Sequence, residues 1–188
     1  DSLSYFEILT LIALLYFEEE QVDVALIEVG IGGLLDATNV VIGDVAVVTS
    51  VGLDHQETLG DSIVAIAKQK AGIFKKKERA VIGPLAEEAR RVCELRADEL
   101  GVVLYEYGRD FSFSKGQFSN QDKMIVGLQL GLKGTYQEEN AAVALQSFLL
   151  FMKQQNWQPQ VKWIRKALQE THWAGRLEYF ERGIYLDG

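Results

Sequence analysis

The chain has 188 residues, 48% apolar and 24% charged, with two prolines, one cysteine and a formal net charge of −8. This is enough for one folded domain with a full core, and the composition is that of a soluble globular protein rather than a disordered chain. The acidic excess disfavours a general nucleic-acid or membrane-surface binder, and the lone Cys93 cannot close an internal disulfide, which fits a reducing cytoplasm.

In chain order, Ser4 and Glu7 have capping-box spacing, with Leu3 as a hydrophobic staple, so a helix is predicted from there to about residue 20. Its apolar stripe (Phe6, Ile8, Leu9, Leu11, Ile12, Leu15) is wide enough to lie against a sheet. The apolar run within it, residues 8–16, is shorter than the roughly 20 residues of a bilayer span and lacks the features of a signal peptide. From residue 22 a second apolar run reads as a strand buried on both faces, with Glu28 at its carboxyl end. It breaks into Gly30, Gly32 and Gly33, followed by Asp36-Ala37-Thr38-Asn39. Open parallel sheets bind ligands at the carboxyl ends of their strands, so an acid and a glycine loop here mark a candidate site.

Residues 44–51 read as another buried strand, followed by the polar loop 52–60. Asp61 or Ser62 caps a helix through residue 73, which ends at Lys75-Lys76-Lys77, charges suited to the negative end of a helix dipole. A short strand at 80–82, an amphipathic helix at 85–100 and a strand at 101–105 continue the alternation that signals a doubly wound α/β sheet. Residues 110–132 change to short alternating segments, one or two antiparallel hairpins separated at Lys115-Gly116 and at 120–123. Helices resume at 135–153 and 161–172, and a closing hairpin turns at Arg182-Gly183. The predicted fold is therefore α/β: a doubly wound, mostly parallel sheet flanked by helices, with a small antiparallel section. Both ends read as cut, since there is no initiator methionine and the chain stops just after an apolar run, so residues 1–188 are expected to be one domain of a longer protein.

Three side chains carry the candidate chemistry. Glu28 suits Mg²⁺, which takes oxygen ligands and keeps several waters; the alternative is a solvated strand-end acid. His55, after Asp54 in the loop behind the next strand, is a second ligand, a phosphate contact or a plain surface histidine. Lys70 sits among Ala67, Ala71 and Ile73, a small-residue setting that allows close packing. A partly buried lysine can react as a neutral amine, for instance with CO₂ to give a carbamate; the default is a solvated helix lysine. Neither GxxxxGK[ST] nor GxGxxG occurs, so the chain contains no standard phosphate cradle.

Residues 28–39, with Gly52-Leu-Asp-His55 and Lys70-Ala-Gly-Ile73 behind them, resemble the folylpolyglutamate synthase/dihydrofolate synthase branch of the Mur ligase family. Leu3-Ser-Tyr-Phe-Glu7, Gln137-x-x-Asn140-Ala, Gly175-Arg176-Leu-Glu178 and Leu186-Asp187-Gly188 are similar to that branch's other motifs. The resemblance implies the family's central ATP-binding domain without the amino-terminal part that carries a GTNGKGS loop, cut inside an LDGAHN motif. It implies ATP-dependent ligation of L-glutamate to folate or dihydropteroate, with two Mg²⁺ ions. Glu28 is carried over to the first metal, His55 to the second, and Lys70 to a carbamylated lysine completing that second site. Gln137 and Asn140 match positions near the adenine, and Arg176 and Asp187 positions near the phosphates, ribose or interdomain hinge. Phe6, Asp36 and Ala37 match the pterin pocket. The chain departs from the usual pattern at Leu34 (commonly Arg), Gln69 (commonly an acid) and Ala174 (commonly Pro). The resemblance further implies a cytoplasmic protein, monomeric at full length, with small-molecule partners and no nucleic acid or membrane. An isolated chain without a cradle is expected to be inactive. The alternatives are a Mur ligase with a peptidoglycan-precursor acceptor and a non-catalytic module.

Overall fold

A computed structural model of the chain describes residues 2–76 and 78–175, together with the backbone of 178–179 and 185–186. Helix α1 spans Tyr5–Glu19 and opens on the expected capping box. The Glu7 amide donates to Ser4 Oγ at 3.2 Å, and the Ser4 amide donates to the Glu7 carboxylate at 2.7 Å. A 3₁₀ turn (Ala37–Val40) leads to β1 (Val45–Val48), a one-turn helix α2 (Gln56–Leu59) and α3 (Ile63–Ala71). Then follow β2 (Arg79–Ile82), α4 (Glu87–Leu100) and β3 (Val103–Glu106).

These three strands form one parallel sheet in the order β1-β2-β3, with Val45 opposite Arg79 and Arg79 opposite Val103. Period-two alternation divides the strand side chains between two cores. Ala46, Val48, Ala80 and Ile82 face α3 and α4, where they meet Ala71, Phe74, Cys93 and Ala97. Val45, Val47 and Val81 face the other way, toward α5 (Tyr136–Gln154). Helices therefore cover both faces, as the doubly wound reading requires.

The antiparallel section is β4 (Phe111–Ser114), β5 (Gln117–Asn120) and β6 (Met124–Ile125). Its tight turn is Lys115-Gly116, both with positive φ (51° and 72°), the backbone twist that two-residue hairpins favour. Phe111, Phe113, Phe118 and Ile125 leave this sheet to pack on Ala142, Leu145 and Leu149 of α5. The described secondary structure ends with α6 (Val161–Glu170) and the two-residue pair β7 (Glu178–Tyr179) and β8 (Tyr185–Leu186). Among the described residues no helix is long and apolar enough to cross a membrane.

Two expectations are corrected. Residues 22–29 do not form a buried strand: among the described residues they have no ladder partner, and Leu26 is 92% exposed. Helix α1 does not lie against the sheet either; none of its residues is buried, and it packs on the 3₁₀ turn instead. An apolar run becomes a strand only when another strand offers it hydrogen bonds, and an apolar stripe is buried only where a surface meets it. Among the described residues neither segment has such a neighbour.

Candidate functional site

The glycine loop after Glu28 docks on the end of α3. The Leu34 amide donates to the Gln69 carbonyl at 2.8 Å, and the Asn39 side-chain amide reaches the carbonyls of Leu34 (2.9 Å) and Gly72 (3.3 Å). The fit is close. A Cβ on Gly33 would stand 2.8 Å from the Gln69 carbonyl oxygen and 3.3 Å from that of Lys70. One residue earlier, Gly32 faces the Leu59 side chain of α2, the turn that starts directly after His55. The backbone segments that carry Glu28, His55 and Lys70 thus meet at residues 32–34.

The three side chains themselves remain free. Glu28 and His55 are exposed and Lys70 is half-buried, and none makes a hydrogen bond or ion pair among the described residues. His55 occupies the N-cap of α2 in left-handed conformation (φ 53°), with no side-chain capping bond to hold its imidazole back. Among the described residues no three His, Cys, Asp or Glu side chains cluster as a ready-made metal site. Mg²⁺ does not need such a cluster, because it is commonly held by one or two carboxylates with waters and phosphate oxygens. An unengaged Glu28 supplies one such carboxylate.

A second group forms around Gly30. A Cβ there would lie 2.7 Å from the Phe6 ring and 3.1 Å from the Asp36 carboxylate, so Phe6 of α1 and Asp36 border the same glycine, with Ala37 next in the chain. Asp36 caps the 3₁₀ turn. Its carboxylate accepts from the Thr38 amide (2.9 Å), the Thr38 hydroxyl (2.6 Å) and the Ile31 amide (3.0 Å). Burial works to raise the Asp36 pKa, but these bonds, with a further one from the Gly30 amide, outweigh it and hold the carboxyl below its ordinary value.

Helix α5 runs antiparallel to the parallel strands. Its last turn reaches their amino ends, where Gln154 bonds Asp44 (2.5 Å) and Arg79 (2.5 Å). Val143, in its first half, flanks Gly83 and Thr49 just beyond the carboxyl ends of β2 and β1. Gln137 and Asn140 therefore lie toward the carboxyl edge, where ligands of such sheets bind. Gln137 is 7% exposed, and its side-chain oxygen accepts from the Asn140 amide at 3.2 Å. No hydrogen bond joins this pair to Glu28, His55 or Lys70. Arg176 and Asp187 lie outside the described residues. A cleft of about 300 Å³ near the other end of α5, lined by Asn120, Lys123, Gln146, Lys153 and Trp157, includes none of the expected site residues.

Two charged residues beside this loop have contacts that were not legible in the sequence. Lys75, read there as a helix-end charge, donates from Nζ to the carbonyls of Asn39 and Val41. Glu78 is 5% exposed, and its two carboxylate oxygens accept from the amides of Gly43 and Lys75, each at 2.8 Å. No local pattern announces these contacts; the only hint is a charged residue directly ahead of a central strand.

Comparison with known proteins gives a consistent picture. The pattern of the Mur ligase middle domain matches residues 1–148. The chain is 41% identical over 182 residues to the folylpolyglutamate synthase of Lacticaseibacillus casei, covering 92% of this chain and 42% of that protein. It is also 41% identical over 148 residues to the dihydrofolate synthase/folylpolyglutamate synthase of Escherichia coli K12, covering 77% of this chain and 34% of that protein. Among solved structures, the apo form of the L. casei enzyme superposes with a TM-score of 0.95 at 39% identity, over all of this chain and 48% of that one. An FPGS-AMPPCP-folate complex does so with a TM-score of 0.96 at 40% identity, over all of this chain and 48% of that one. The chain thus spans less than half the length of these relatives.

Proposed function

The chain belongs to the Mur ligase middle-domain family, and from that premise we propose that the protein carrying it is an ATP-dependent carboxylate–amine ligase that joins L-glutamate to folate or dihydropteroate. The observation that carries this reading is the docking of the glycine loop on α3, which draws together the segments bearing Glu28, His55 and Lys70. The relatives named as folylpolyglutamate synthases supply the substrate class. No observation favours a peptidoglycan-precursor acceptor.

The chemistry needs charge neutralised on a phosphoryl group in transfer and on the carboxylate that attacks it. The γ-phosphoryl group of ATP passes to a carboxylate oxygen of the acceptor, leaving ADP and an acyl phosphate. The glutamate amine then attacks the acyl carbon, phosphate departs with the bonding pair, and the amine loses a proton to give the amide. Mg²⁺, when bound, supplies Lewis-acid charge neutralisation. Glu28 would hold the first ion, and His55 with Lys70 as its carbamate the second; the carbamate turns a half-buried lysine into an oxygen ligand. Gln137 and Asn140 contact the adenine. Phe6, Asp36 and Ala37 meet the pterin, and Asp36, its carboxyl held below its ordinary value by its hydrogen bonds, accepts hydrogen bonds from it. Arg176 and Asp187 complete the nucleotide side. In this reading residues 1–188 form the central domain of a cytoplasmic monomer, and the phosphate cradle is contributed from outside this stretch.

The test is ADP release by the full-length protein. It should require glutamate together with a folate or pteroate, and fall about a hundredfold or more in Glu28→Gln and Lys70→Ala. ADP release indifferent to both substrates sinks the proposal. Labelled bicarbonate, followed by carbon NMR, should mark wild type and leave Lys70→Ala unmarked.

A further inference from the structure

The loop of residues 36–43 is fastened to the turn between α3 and β2 by one ammonium and one carboxylate. Lys75 Nζ gathers two carbonyls, those of Asn39 and Val41. The Glu78 carboxylate gathers two amides: Gly43, in the loop, and Lys75 itself. The Glu78 amide returns a bond to the Lys75 carbonyl at 3.3 Å, which closes the turn on itself. The Asn39 side chain adds the link to Gly72 at the end of α3.

Such an arrangement is more than a way to fill space. Glu78 is almost wholly buried directly before the central strand, and a buried carboxylate is costly unless its oxygens are satisfied. Here both oxygens are committed to backbone amides on either side of the gap between loop and turn. The loop begins at Asp36 and Ala37, and the turn follows α3, which bears Lys70. The clasp therefore adds, from the far side of the loop, to the Leu34–Gln69 and Asn39–Gly72 bonds that hold the residues placed at the pterin against the helix bearing Lys70.

We propose that Lys75 and Glu78 are positioning residues for the acceptor: they fix the Asp36–Ala37 loop relative to α3 and touch no substrate themselves. The assignment rests on the reading of Asp36 and Ala37 as acceptor contacts. Losing the ammonium frees two carbonyls at once and loosens residues 39–41, so the loop carrying Asp36 is held from one side only. Small displacements of a binding group weaken productive binding steeply. Nucleotide contacts on α5 belong to another element and stay in place.

The experiment compares Lys75→Met, Lys75→Arg and Glu78→Gln in the full-length protein, by steady-state kinetics and by hydrogen exchange of residues 36–43. Lys75→Met is expected to raise KM for the folate or pteroate acceptor about tenfold or more, with KM for ATP within about twofold of wild type. Exchange in the loop should quicken about tenfold while α4 stays protected. Lys75→Arg, with several donors on one charged head, should restore both readouts to within about threefold. Glu78→Gln keeps only one acceptor oxygen and should fall between. Unchanged acceptor KM and unchanged loop exchange in Lys75→Met would overturn the proposal. So would a parallel rise in both KM values with faster exchange throughout, since that marks general loosening. If Lys75→Met does not fold, the order wild type, Lys75→Arg, Glu78→Gln in acceptor KM decides instead, and no difference among them overturns it. If wild type turns over no folate or pteroate, the functional reading fails separately, and the loop exchange alone decides whether the clasp exists.

Discussion

Replacing Gly33 with alanine perturbs the contact on which the site is built. The new Cβ would stand 2.8 Å from the Gln69 carbonyl oxygen, 2.8 Å from the Ile73 methyl and 3.3 Å from the Lys70 carbonyl oxygen. Two of these partners are backbone atoms of α3, so the loop has to lift or the last helical turn has to open. Overpacking of this kind costs about 1–3 kcal/mol. Gly33 also has φ +150°, outside the ordinary range of residues with a side chain, which adds about 1–3 kcal/mol of strain. A loss of about 3 kcal/mol lies well within that sum and corresponds to a fall in Tm of about 6–12 °C for a chain of this size. Gly101 provides the control. It too has positive φ (66°), but a Cβ there meets nothing within 4 Å. Gly101→Ala should therefore cost only the strain, about 1–2 kcal/mol. Urea unfolding followed by circular dichroism measures both. If Gly33→Ala loses no more stability than Gly101→Ala, the docking of the glycine loop on α3 is not the tight contact described here, and the convergence of the three segments loses its basis.

Cys93 is fully buried between α4 and the sheet, and burial, with Glu94 adding to it, pushes its thiol up to about 11. Ellman's reagent at neutral pH should leave it unreacted in the native protein and titrate one thiol after unfolding. Asp36 acts in the opposite direction: its folded-state pKa is depressed, so its stabilisation is present above the unfolded carboxyl value of about 3.9 and is lost as pH falls through the lower folded value. Asp36→Asn should flatten this acid limb, which urea midpoints at neutral pH and at about pH 3 will register. Phe118, with no exposed surface, joins the antiparallel strands to α5. Phe118→Ala should cost about 3–5 kcal/mol in the same unfolding assay, and a loss below about 1 kcal/mol would mean that this sheet is not part of the main core.

Much of the fold was legible in short windows of sequence. The Ser4–Glu7 capping box and the Lys115-Gly116 turn are each set by bonds or sterics among residues a few positions apart. Their local preferences survive whatever surrounds them. Helix–strand alternation gave the doubly wound class, while the order β1-β2-β3 was decided by tertiary structure. Candidate site residues were legible as types and spacings. Whether they meet was not, because residues 32–34 and 69–72 come together only through packing of a loop on a helix.

The amino-terminal third marks the boundary most clearly. Residues 5–19 determined by themselves that they form a helix, since its hydrogen bonds are internal. They did not determine what their apolar stripe would face, and in the structure it faces outward beside the 3₁₀ turn. Residues 22–29 carry strand-forming side chains, yet a strand takes its hydrogen bonds from a neighbour, and none lies alongside them among the described residues. The same logic separates Lys75 and Glu78 from their sequence reading. Charge was written in the sequence; three of the four backbone groups that satisfy it, the carbonyls of Asn39 and Val41 and the Gly43 amide, were chosen by tertiary structure, because only folding brings residues 39–43 to residues 75–78.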